Sequence, residues 1–315
     1  MITVHHAGPD GKLSAGGLEL LEGPGNTWVD VQAPTAAEMK SLAERFELHA
    51  LEVEDALTHN ERPKLELFPG HTFIVLQGFR LKNVQAMTLD VVEMHLFVGP
   101  HWVMTVHSHE SPAVAEALKR VRAEPARTLG RGADRVAYAV ADAMVDAHFP
   151  IFDSFNDHLE ELETAVFEQV HPEQLQRLFQ LKRQLSVMRR VLSPQRDVMG
   201  MLSREGVENI HSRTTLYFRD VYDHLIRLYE QIDADRDLLG NIIEGYLSMM
   251  ANRTANVSKQ LTVIATVFLP LSFVVGFFGQ NFSQLQTPFF FWVMLASMVV
   301  IPATLFIWFR RQHWV

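Results

Sequence analysis

The sequence predicts an α+β chain: an α/β domain, then a long helical stalk, then two C-terminal transmembrane helices. Three observations carry that prediction. Strand-type runs are confined to about the first 130 residues. A helix-periodic stretch begins near Arg213 and meets no proline before Pro270. From Leu261 to Phe309 there is no Asp, Glu, Lys, Arg or His.

Residues 1–130 are expected to form a cytosolic α/β domain. Thr27–Gln32 (TWVDVQ), His71–Phe79 (HTFIVLQGF), Leu89–Val98 (LDVVEMHLFV) and His101–His107 (HWVMTVH) read as strands, being rich in Val, Ile, Phe and Thr. The TAAEMKSLAERF run after Pro34 and SPAVAEALKRVRAE from Ser111 read as helices. Residues 131–212 carry helical periodicity throughout, first as one stretch from Asp134 and then as a helix interrupted or bent at Pro194. Residues 213–260 form the cytosolic part of the stalk. Carried through to Gly279, the stalk helix would measure roughly 100 Å at 1.5 Å per residue. Such a length asks for packing on neighbours or on copies of itself.

Leu261–Phe278 and Phe289–Trp308 hold 18 and 20 residues without a charge, long enough to cross a hydrocarbon core of about 30 Å. Pro270 and Pro302 are tolerated where neighbours satisfy the freed carbonyls. The predicted segments are span 261–280, outer loop 281–288, span 289–309 and a basic tail, 310–315. Arg253 and Lys259 precede the first span, Arg310 and Arg311 follow the second, and the turn between has no charge. By the positive-inside rule both termini face the cytoplasm. The amino terminus, MITVHHAGPDGKLS, has no apolar run of signal-peptide length.

Composition narrows the function classes. The formal charge of −9 belongs to the soluble part and argues against a nucleic-acid partner, whose phosphates need clustered Lys and Arg. With no Cys there is no disulfide framework, thiolate zinc site or thiol nucleophile. The close histidines His5, His6, His107 and His109 lack the helical i, i+4 spacing of a zinc hydrolase and read as structural or surface groups, with a weak zinc or nickel site as the alternative. Arg62–Lys64 (RPK) reads as a turn and ion-pair element. No Walker loop, G-x-S-x-G or dinucleotide fingerprint is present, and nothing calls for an enzyme.

One line of residues on the stalk does call for something. At heptad spacing it runs Asp237, Asn241, Glu244, Ser248, Ala251, Ala255, Ser258, Thr262, Ala265, Leu269, Ser272, Gly276, Gly279, and only Leu269 is bulky. Small residues at this spacing let membrane helices approach closely. A dry seam, however, would turn to Leu and Ile on leaving the lipid, whereas this one turns acidic at Glu244 and Asp237. A water-filled path bordered by several copies of the helix accounts for both halves. Hydroxyls and carbonyls would solvate a cation in the membrane, and carboxylates would attract it at the inner mouth. A two-span chain cannot enclose a pore alone, so this reading requires a ring of identical subunits.

Several segments, in order along the chain, resemble the CorA-type divalent-cation transporters. They are VEDALTHNERPKLE (53–66), FVGPHWVMTVH (97–107), VADAMVDAHFP (140–150), SVMRRVLSPQRDV (186–198), YFRDVYDHL (217–225), LTVIATVFLPLSFVVGFFGQNF (261–282) and the tail RRQHWV. The resemblance implies a funnel-shaped homopentamer in the inner membrane, with the first spans lining a central pore. It implies an outer mouth of the family's Gly-Met-Asn type, here Gly279, Gln280 and Asn281, with Gln in the middle place. The zinc-transporting branch varies at that position too. It also implies cytosolic regulatory metal at carboxylates between subunits, falling here on Glu54, Asp55, Asp142 and Asp220.

The expected function is therefore a divalent-cation channel for Mg²⁺, with Co²⁺ or Ni²⁺ as further cargo, gated by cytosolic metal. Ions would meet the Asn281 ring hydrated, pass Ser272 and Leu269, and follow Ala265, Thr262, Ser258 and Ala255 to Glu244. A zinc transporter of the same architecture, carrying Zn²⁺, stays open as an alternative, as does a membrane-tethered sensor or scaffold without transport.

Overall fold

A computed structural model describes residues 1–58, 61–83, 87–280, 287–312 and 314. The chain divides into two compact units, Met1–Ile242 and Ile243–Val315.

The first unit is built on one mixed sheet. Its strands are β1 (Ile2–Ala7), β2 (Leu13–Gly16), β3 (Asn26–Gln32), β4 (Lys64–Phe68), β5 (His71–Asn83), β6 (Thr88–Val98) and β7 (Trp102–His107). Their spatial order is β2-β1-β3-β7-β6-β5-β4. Among the described residues β3 and β7 pair in parallel and the other pairs are antiparallel. Sheet alternation then divides the apolar side chains between two faces. Phe73 and Val75 join Val29, Val31, Phe97 and Met104 beneath α1 (Ala36–Phe46) and α2 (Ala50–Thr58), which contribute Met39, Leu42 and Ala56. Ile74 and Leu76 are equally buried on the opposite face. That face carries a helical layer, and Gln195 reaches from it to accept the Gln77 N–H at 2.8 Å. Burial on both faces explains why β5 reads as a nearly continuous apolar run.

The helices start where the sequence signals them. Thr35 and Glu38 form a capping box at α1: the Thr35 hydroxyl accepts from the Glu38 N–H at 3.2 Å, and the Glu38 carboxylate accepts from Thr35 N–H at 2.8 Å. α3 (Pro112–Ala123) begins after Ser111, whose hydroxyl accepts from Val114 N–H. The periodic stretch after Asp134 is two helices rather than one, α4 (Ala133–Asp146) and α5 (Phe149–Glu168). Pro150 lies in the first turn of α5, where a missing N–H costs nothing, and so restarts the helix. α6 (Pro172–Leu202) runs through Pro194 as one helix. Buried Val191, Leu192, Gln195 and Val198 flank the proline and hold the helix on both sides.

Three strands and one helix were not anticipated. β1 and β2 form a hairpin whose histidines hide its strand character. His6 is nevertheless buried, and its Nδ1 lies 2.9 Å from the Thr27 hydroxyl on β3. β4 is a short edge strand that contains Lys64 of the RPK element. α2 carries the acidic segment around Glu54. The structural reading of His107 holds: its Nε2 lies 3.1 Å from Asp30. Burial works against charge there, but the Asp30 carboxylate outweighs it and raises the His107 pKa.

α7 (Ser212–Phe278) is a single helix of 67 residues that runs through the division between the units. In the second unit it is followed by α8 (Pro288–Arg311), which opens on a proline in its first turn and ends on Arg310 and Arg311.

Candidate functional site

Along α7 two lines of residues follow the same alternation of threes and fours. The first is Phe218, Val221, Leu225, Leu228, Ile232, Asp235, Leu239 and Ile242, all of them buried. The second is the polar and small line that begins at Asp237, Asn241 and Glu244. It is displaced from the first by two residues, or roughly 200° around the helix axis. Where the two lines overlap, Asp237 and Asn241 thus lie across the helix from Asp235 and Leu239. All thirteen positions of the small line, from Asp237 to Gly279, are exposed in the single chain.

Within the apolar part of α7, the backbone orients the hydroxyls. Thr262 donates its Oγ1 hydrogen to the Ser258 carbonyl at 2.8 Å, and Thr266 donates to the Thr262 carbonyl at 2.7 Å. A hydroxyl whose hydrogen is spent on the helix turns its lone pairs outward, as an acceptor that can meet a cation. Leu269, the one bulky member of the line, is 69% exposed. The helix closes at Gly279, whose N–H donates to the Val275 carbonyl at 2.9 Å, and a Cβ there would meet that same oxygen at 2.9 Å. Gln280 is exposed beyond it. Asn281, with the rest of 281–286, lies outside the described residues.

α7 and α8 are each long and apolar enough to cross a membrane, with a mean hydropathy of 2.3 over the best 18 residues and none of that window buried. The foot of this hairpin is clasped. Phe309 is buried, Trp314 stacks on it at 5.7 Å, and Lys259 of α7 lies 5.7 Å from the centre of the Trp314 ring.

The four carboxylates expected to hold regulatory metal separate into two groups. Asp142 on α4 and Asp220 on α7 come together, and His224 joins them one turn beyond Asp220. One donor atom from each lies within 4.8 Å of the others. Two carboxylates and an imidazole suit a divalent cation, and the imidazole admits Co²⁺, Ni²⁺ and Zn²⁺ beside Mg²⁺. Glu54 and Asp55 are not part of this group. Glu54 is exposed, and Asp55 accepts from Lys64 Nζ at 2.6 Å, in a cluster where Lys64 also reaches Glu61 at 3.4 Å and Glu66 at 3.3 Å. The RPK lysine is thus the ion-pair element the sequence suggested. Sequence reasoning passed over His224, although Asp-x-x-x-His on a helix puts both side chains on one face.

It also passed over Arg120 on α3, whose Nη1 donates to Asp142 Oδ2 and whose Nη2 lies 3.8 Å from Asp146. Asp146 in turn lies 3.4 Å from His224 Nδ1. Burial, and then the Asp142 charge, raise the Asp146 pKa. Tyr138 is pushed up to about 12 by burial and the same Asp142 charge. The cluster is thus a crowded anionic spot in which charge is already being negotiated.

Comparison with known proteins agrees with this layout. The family profile described as "CorA-like Mg2+ transporter protein" matches residues 24–311. The chain is 32% identical over 294 residues to the cobalt/magnesium transport protein CorA of Thermotoga maritima, covering 92% of this chain and 83% of that protein. It is 24% identical over 257 residues to the zinc transport protein ZntB of Yersinia pseudotuberculosis, covering 81% and 77%. Among solved structures, the complete structure of the CorA magnesium transporter from Methanocaldococcus jannaschii superposes with a TM-score of 0.87 at 21% identity. That match covers 100% of this chain and 99% of the other.

Proposed function

The chain belongs to the family of CorA-like Mg²⁺ transporter proteins, and from that premise we propose that it conducts Mg²⁺ across the inner membrane, with Co²⁺ and Ni²⁺ as further cargo. Copies of the chain, five by analogy with the family, surround a central path lined by α7. Both termini lie in the cytoplasm, as the Arg253, Lys259, Arg310 and Arg311 flanks require. The observation that carries this reading is the exposure of all thirteen positions of the small and polar line, of which Asp237, Asn241 and Glu244 lie across the helix from the buried Asp235, Leu239 and Ile242. Past Ile242 the helix has, among the described residues, no such buried line within its own chain, and its surface is left for copies of itself, lipid and water.

On this reading a hydrated ion meets Gly279, Gln280 and Asn281 first. Uncharged amides suit an ion that has not shed its water, since Mg²⁺ dehydrates reluctantly. Ser272, Ala265, Thr262, Ser258 and Ala255 then offer hydroxyls and bare backbone, with Leu269 as the apolar constriction, and Glu244 draws the ion inward. Divalent metal held by Asp142, Asp220 and His224, with Glu54 and Asp55 supplied from a neighbouring copy, favours the closed state. The ion can shift the two states only by its differential affinity for them.

Flux of Mg²⁺, Co²⁺, Ni²⁺ and Zn²⁺ into proteoliposomes tests the proposal. Mg²⁺ uptake that Co²⁺ and Ni²⁺ inhibit is the expected result, and absence of flux for all four ions would leave only a sensor or scaffold. Zinc transport is a second reading, favoured by Gln280 and the His224 imidazole; uptake of Zn²⁺ alone would establish it. At the gate, Asp220→Asn relieves the block by internal Mg²⁺, and an unchanged block removes Asp220 from the gating site.

A further inference from the structure

Asp142 is the most buried member of the acidic cluster, with a side chain 9% exposed. A carboxylate in that position cannot be left without a counter-charge, and α3 supplies one. Arg120 donates to Asp142, lies 3.8 Å from Asp146 and has its Nε 3.9 Å from Glu116 of its own helix. Asp220 and His224 approach the same carboxylate from α7. Asp142 thus meets a fixed cation from α3 and two further possible metal ligands from α7.

We propose that Arg120 is the resident counter-ion of this cluster and sets the concentration at which divalent metal loads it, by competing with the metal for Asp142. The inference rests on the reading of Asp142 and Asp220 as a cytosolic metal site. Two physical effects act in the same direction. A metal that takes the oxygen now held by Arg120 must break a charge-assisted hydrogen bond to reach it. A metal that takes the other oxygen of the carboxylate sits close to a guanidinium in a partly desolvated place, where like charges repel strongly. Arg120 is always charged, so the competition does not relax with pH. In exchange, the buried carboxylate is never left unpaired when the metal leaves. The arrangement therefore trades metal affinity for a cluster that releases its ion as concentration falls.

The test is an Mg²⁺ titration of the full-length protein in detergent, read by thermal melting and by protection from trypsin. Arg120→Gln lowers the Mg²⁺ midpoint about tenfold, equal to about 1.4 kcal/mol, while also lowering the melting point without metal. An unmoved or higher midpoint overturns the proposal, because a purely structural Arg120 would change only the melting point. Should Arg120→Gln fail to elute as a folded oligomer, Arg120→Lys decides by the same rule. It keeps the charge but loses the planar fork that reaches Asp142 and Asp146 together, and its midpoint falls by less. Asp220→Asn separates this inference from the reading beneath it. If Asp220→Asn raises the midpoint and the Arg120 variants do not lower it, only the counter-ion role is lost. A wild-type protein without an Mg²⁺ response, or an Asp220→Asn midpoint equal to wild type, removes the site and the inference with it.

Discussion

The two faces of α7 obey the same spacing and opposite chemistry. One face, Phe218 to Ile242, is buried within a single chain and is apolar apart from Asp235. The other, Asp237 to Gly279, is small, polar and exposed. The period alone therefore does not say what a helical line is for. The first face contributes to the stability of one chain; the second, on the proposed function, meets other copies, water and ions.

The comparison breaks most visibly if the buried face is cut. Leu228→Ala removes a fully buried side chain and should cost about 2–5 kcal/mol, seen as an earlier melting transition together with loss of flux. The matching change on the exposed face should behave in the opposite way. Ala265→Leu is expected to leave the melting temperature unchanged and to reduce Mg²⁺ flux at least tenfold, because bulk is added to the proposed path one turn from Leu269. If both variants melted early, the exposed line would be a packing seam after all.

Asp235 sharpens the comparison, since it sits in the buried line where a Leu would fit. Its Oδ2 has no hydrogen-bond partner among the described residues, and burial pushes its pKa up to about 6. For an acid with a raised folded pKa, the penalty is absent below the unfolded value near 4 and complete above about pH 6. Asp235→Asn should therefore raise the melting point by roughly 2–8 °C at pH 8 and by much less at pH 4.5, as calorimetry at the two pH values would record. The smallest effect belongs to Glu244, an exposed carboxylate at the proposed inner mouth. Glu244→Gln should lower flux by roughly two- to threefold at low ionic strength, and the difference should fade at high salt as screening takes over.

How much of this was legible beforehand depends on how local the cause is. The long helix was visible because nothing in the sequence could end it, and its charge-free portion because an uninterrupted run of that length is rare. The central strands were visible from β-branched and aromatic runs. β1, β2 and β4 were not, because short edge strands are defined by their partners more than by their own composition. In the acidic cluster, Asp142 and Asp220 were named in advance through a resemblance, and the fold brings them together. That Asp55 would be held by Lys64, and Asp142 by Arg120, follows from side chains meeting across elements, which no spacing reveals. His224 was there to be found, one turn from Asp220. Asn281 lies outside the described residues and stands on the resemblance alone.

The clasp at the foot of the hairpin has a consequence for the kind of membrane this protein fits. Lys259 to Phe278 rises roughly 28 Å, and Phe289 to Phe309 roughly 30 Å, at 1.5 Å per residue. Trp314 joins Lys259 and Phe309 at one level, so the two legs start from a common point and are closely matched in length. Both legs match the roughly 30 Å of an ordinary hydrocarbon core, and mismatch with thinner or thicker lipid costs free energy. Transport in vesicles of graded acyl-chain length should peak near that thickness, and Trp314→Ala should broaden the peak by freeing one leg from the other.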